Sequence, residues 1–67
     1  MKTLSKEQIE FLISVMMHHG VLELTAREIA KYPVALMSKF TYRATGLYVS
    51  ELLSPDVIER YTSRFQK

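Results

Sequence analysis

Apolar positions recur along this chain at helical intervals. Ile9, Leu12, Ile13, Met16 and Met17 fall at i, i+3, i+4, i+7 and i+8, Phe11 and Val15 add a second ridge, and between Phe11 and Met17 only Ser14 is polar. The pattern predicts a helix over residues 5–19 that is apolar nearly all round. A second stripe, Ala26, Ile29 and Ala30 with Arg27 and Lys31 opposite, predicts a short helix over 25–32. Val34, Met37, Phe40 and Ala44, widened by Leu36, predict a third over 33–45, with Ser38, Lys39, Tyr42 and Arg43 on its outer side. Val57, Ile58, Tyr61 and Phe65 give the inner face of a last helix over 55–66, and Glu59, Arg60, Ser63, Arg64 and Lys67 face water. The expected fold is therefore all-α, a small four-helix domain.

Local signals mark the boundaries. Ser5 with Gln8 has the spacing of a capping box, and Leu4 with Ile9 that of a hydrophobic staple; Met1–Thr3 is a loose end. Gly20 is placed to end the first helix in a left-handed residue. Thr25 with Glu28 repeats the capping box, and Leu24 with Ile29 the staple. Pro33 disfavours helix at Tyr32 and suits the first turn of the next helix, which Gly46 closes. Ser54 caps, Pro55 takes the first helical position, Asp56 meets the positive end of the dipole, and Leu53 with Ile58 forms a third staple. Two links are less regular. Residues 21–24 read as an extended turn or a stub of strand. In residues 47–53 Tyr48 and Val49 favour strand, while Leu47, Glu51, Leu52 and Leu53 suit a helical turn; a two-stranded ribbon is marginal alone, which favours the turn.

Residues 24–45, with Thr25-Ala26-Arg27-Glu28-Ile29-Ala30 opening a short helix and a basic second helix after the break, resemble the bihelical unit of helix-turn-helix DNA-binding proteins. The resemblance covers about a third of the chain, and Lys31-Tyr32-Pro33-Val34 stands where the family usually has a glycine in the turn. It implies a transcriptional regulator whose helix 33–45 enters the major groove of duplex DNA. Lys39 and Arg43, with Ser38 and Tyr42 beside them, would touch bases or phosphates, and Arg27, Lys31, Arg60 and Arg64 would hold the backbone. An ordinary helical hairpin with a solvated basic face is the competing explanation of the same residues.

Length limits how such a chain can be stable. Sixty-seven residues make one domain, and a chain of this size buries only about 60% of its unfolded surface. Cysteine is absent, which excludes disulfides and thiolate metal sites. Helical packing or oligomerisation must then supply the stability. The circumference of helix 5–19 allows two explanations: a core helix wrapped by the others, or a surface for a second copy or a larger protein partner. In the second case Phe11, Val15, Met16 and Met17 would form the interface of a homodimer, or of a small adaptor or inhibitor of an enzyme.

The net charge of +2 and a pI near 9.1 are mildly basic and do not by themselves demand nucleic acid. No apolar run is long enough to span a membrane, and the first residues lack signal-peptide order; a cytoplasmic location is expected. His18 and His19 point about 100° apart on a helix and converge poorly on a metal; bonding of the last helical carbonyls explains them better. Asp56 is accounted for by its helix start, the two glycines make no phosphate loop, and Ser5 and Ser54 are caps. The sequence thus points away from an enzyme and implies neither metal nor cofactor.

Overall fold

The computed structural model describes the backbone of residues 4–65 and side chains through Ser63. Five helices follow one another: α1 (Lys6–His18), α2 (Glu23–Ile29), α3 (Val34–Thr45), α4 (Val49–Leu52) and α5 (Pro55–Phe65). The all-α fold is as the periodicity predicts. The expected loose residues 1–3, the inward Phe65 and the outward Arg64 and Lys67 lie outside the described residues or side chains.

Helix α1 begins as its sequence demands. The Ser5 Oγ accepts from the Gln8 amide at 3.1 Å, and the Gln8 side-chain oxygen accepts from the Ser5 amide at 2.8 Å, so two end donors are satisfied reciprocally. It ends at Gly20, whose φ of +96° is strained for residues bearing a Cβ. Gly20 N–H donates to Met17 and Val21 N–H to Met16, the two bonds of a Schellman turn. The turn carries Val21 back onto the Ile13–Met16 side of the helix.

Both flanks of α1 are buried within one chain. Leu12 and Val15 join Met37 of α3, Val49 and Leu52 of α4 and Tyr61 of α5. Ile13 and Met16 join Ala26 of α2, with Ala30 and Ala44 packed at the edge. Ile29 packs against both clusters. Ala26 is fully buried, and its small side chain lets α2 approach α1 closely. The Cα radius of gyration, 10.8 Å, equals the roughly 11 Å expected of a compact domain of this length. Helix 5–19 is therefore the wrapped core helix.

Several expected boundaries shift. Helix α2 starts at Glu23, capped only by the backbone of Leu22, and Thr25 lies inside it with no capping bond. Leu24 is 80% exposed, so the Leu24–Ile29 staple does not form. Glu23 explains the earlier start: it sits at the positive end of the helix and pairs with Arg27 one turn on, at 3.0 Å. The helix also ends earlier, at Ile29. Lys31 and Tyr32 amides turn back to Glu28 and Ile29, and Pro33 is the extended N-cap of α3 rather than its first residue. Gly46 closes α3 at φ +81°, as expected.

The inner face of α3 is also rotated from expectation. Met37 and Thr41 are buried, whereas Phe40 and Leu36 are exposed. Residues 47–53 contain the helical turn α4, and no strand is present among the described residues. The Glu51 carboxylate accepts from the Tyr48 amide at 2.9 Å to start that turn. Ser54 does not act through its hydroxyl on α5; its Oγ donates to the Glu51 carbonyl at 2.8 Å and ties off α4. In α5, Tyr61 is buried and Val57 half-buried, while Ile58 is exposed at the edge.

Thr41 is fully buried and its hydroxyl has no hydrogen-bond partner among the described residues. An unsatisfied buried hydroxyl costs about 1–3 kcal/mol. Thr41→Val keeps the β-branched shape and removes that polar group. It should stabilise the fold by about 1 kcal/mol, raising the thermal midpoint by about 4–8 °C in a melting curve; a lowered midpoint would show that the hydroxyl is satisfied in solution.

Candidate nucleic-acid interface

With Met37 and Thr41 facing α1 and α4, the opposite side of α3 turns to solvent. Lys39 and Arg43 lie there, one helical turn apart and both exposed. Neither takes part in an ion pair among the described residues. The segment from Lys31 to Ser50 contains no aspartate or glutamate at all, so no neighbour in sequence neutralises them.

The other expected cationic contacts are held differently. Arg27 pairs with Glu23 at 3.0 Å and with Glu10 of α1 at 3.2 Å. Hydrogen bonds to Glu23 and then Glu10, followed by the charge of Glu10, hold its guanidinium proton more tightly than usual. Arg27 therefore acts as a tie between α1 and α2, with its charge already matched. Lys31 pairs with Glu28 at 3.4 Å. The α2 side is thus a mixed-charge surface, and the two positions are poorly placed to hold a phosphate backbone. Arg60 is exposed on α5.

Ser38 is also reassigned. It is only partly exposed, and its Oγ accepts from the Val49 amide at 3.1 Å, the first amide of α4. Its position is on the α4 side of α3, and its hydroxyl serves the turn between them. Thr45 reinforces the same link: its Oγ1 donates to the Thr41 carbonyl at 2.8 Å and accepts from the Leu47 amide at 3.1 Å.

Rings flank the two cations. Tyr42 stacks on Tyr48 with centroids 4.4 Å apart and planes 16° from parallel. Tyr32, at the α2–α3 turn, stacks on Phe40 at 5.5 Å and 24°. Tyr42 was expected outside; Tyr32, Phe40 and Tyr48 were not expected at the site. Phe40 fits the apolar stripe by spacing, and only the rotation of α3 about Met37 and Thr41 turns it outward. The ambiguity of residues 47–53 likewise hid Tyr48.

The packing divides the expected α1 interface. Val15 and Met16 are fully buried in the core and unavailable to a partner. Phe11 is half-buried and lines an open groove of about 260 Å³ with Leu53 and Ile58 and the polar Glu7 and Gln8. Met17 remains exposed near the α1–α2 corner, where Leu22 is 76% and Leu24 80% exposed.

At the same C-terminal end of α1, His19 Nε2 lies 3.2 Å from the Tyr61 hydroxyl, and His18 meets the Tyr61 ring edge-on. The histidines thus join α1 to α5. Among the described residues no three metal-ligating side chains come together. No helix among them is long and apolar enough to cross a membrane.

The Ser38 assignment has a direct consequence. Ser38→Ala should lower stability by about 1 kcal/mol in denaturant unfolding and speed hydrogen exchange at the Val49 amide. Unchanged exchange there would return Ser38 to the surface. Comparison with protein-family models finds no match, and neither curated proteins nor solved structures match the chain, so the geometry of α3 is what a functional reading has to stand on.

Proposed function

We propose that this chain is a small, cytoplasmic, non-catalytic DNA-binding regulator that engages duplex DNA through α3. One observation carries the reading: Lys39 and Arg43 stand exposed, one turn apart, in no ion pair among the described residues and within an acid-free segment of the chain. Phosphate contacts need mobile, unneutralised cations, and a helix presenting a pair of them matches the width of the major groove. The order of α2, a short turn and α3 supports the same reading. Lys39 and Arg43 are the contacts to bases or phosphates, with Tyr42 beside them; Ser38, Arg27 and Lys31 drop out as primary contacts. A second copy, if the regulator is dimeric, has Met17, Leu22 and Leu24 available to it, since the rest of the α1 stripe is buried.

Those same three side chains, with the groove at Phe11, favour the alternative of a small protein-binding adaptor or inhibitor. The two readings differ in salt response. Counterion release makes DNA affinity fall steeply between about 50 and 200 mM salt, whereas an apolar protein contact barely responds. Lys39→Glu combined with Arg43→Glu should abolish binding to mixed duplex DNA in fluorescence anisotropy while leaving helical circular dichroism unchanged. Each single change to alanine should reduce the slope of log affinity against log salt by about one. Binding that persists in the double variant would sink the DNA reading.

A further inference from the structure

The outer face of α3 is more aromatic than a duplex reader needs. Tyr32, Leu36, Phe40, Tyr42 and Tyr48 are each between 37% and 47% exposed around Lys39 and Arg43. A helix that reads intact base pairs does so mainly with arginine, lysine, asparagine and glutamine, which match the donors and acceptors on base edges. This chain has no asparagine, and α3 carries neither glutamine nor a carboxylate. Lys39 and Arg43 are thus left with rings and a leucine as neighbours. Beyond the tyrosine hydroxyls, those groups have little to offer a paired base edge except contact with a thymine methyl. What a ring does well is stack on a base that has left its pair.

We propose that this face binds unpaired bases in DNA, with the Tyr42–Tyr48 and Tyr32–Phe40 stacks as platforms and Lys39 and Arg43 holding the adjoining phosphates. The inference rests on the DNA-binding reading above and specifies the form of DNA that α3 prefers. Each stack is already close to parallel, 16° and 24°, so a base continues it without rearrangement of the rings. The cations between them complement phosphates, and residues 31–50 contribute no carboxylate; Glu51, which follows, is held at the Tyr48 amide. Stacking tolerates any base, so selectivity here is for an opened structure rather than for a sequence.

The test compares three labelled probes at one salt concentration: an intact duplex, the same duplex with a short unpaired thymine tract at its centre, and the isolated strand. The opened duplex should bind at least about tenfold more tightly than the intact one. Tyrosine emission should be quenched on binding, a clean signal because the chain has no tryptophan. Phe40→Leu with Tyr48→Leu keeps the apolar bulk and removes one ring from each stack. That variant should lose the preference and retain the affinity for intact duplex. Equal affinity for intact and opened duplex without quenching overturns this inference and leaves the duplex reading standing. Binding to none of the probes overturns both. A dimer, seen by light scattering, that covers these rings and excludes DNA also overturns it.

Discussion

The burial of α1 on two adjacent flanks is the constraint on which the rest of the structure depends. These 67 residues contain no cysteine, so no disulfide supports their core. Four fully or nearly fully buried residues, Leu12, Ile13, Val15 and Met16, contribute to that core from one helix. Leu12 and Val15 receive α3, α4 and α5; Ile13 and Met16 receive α2. Because α2 and α3 both dock on α1, the outer side of α3 has no further helix to meet. The exposure of Lys39 and Arg43 follows from how α1 is wrapped.

Electrostatics then separates two surfaces that look alike in composition. Cations on α2 stand among carboxylates, and Arg27 meets two of them, one across the α1–α2 contact. Such exposed pairs add little stability, but they do neutralise the local field. Cations on α3 have no such partners among the described residues. A net charge of +2 therefore understates the positive character of one face and overstates that of the other.

The ring pairs mark the ends of that face and also brace it. Tyr32–Phe40 joins the α2–α3 turn to the middle of α3, and Tyr42–Tyr48 joins its last turn to the start of α4. Ser38 and Thr45 add hydrogen bonds on the α4 side. The segment between Pro33 and Leu52 is held at both ends, so α3 presents its cations from a fixed frame.

Local chemistry by itself determined the helical class, the Ser5–Gln8 box, the left-handed ends at Gly20 and Gly46, and the presence of a basic helix after Pro33. These depend on backbone conformation and on neighbours within one turn, and the sequence contains both. Tertiary structure alone decided which way each stripe faces. Phe40 and Thr41 are adjacent, and spacing favoured the ring for the core; the fold buries the threonine, one turn from Met37, instead. Val15 and Met16 were readable as core or as interface, because periodicity says only that a side is apolar and not what covers it. Ser38 lost its exposure to Val49, eleven residues on, a partner that local spacing did not single out; Thr25 lost its cap to Glu23, whose i,i+4 pair with Arg27 is itself a local signal. Orientation and partnership are properties of the assembled chain, and they separate a candidate binding face from an ordinary solvated one.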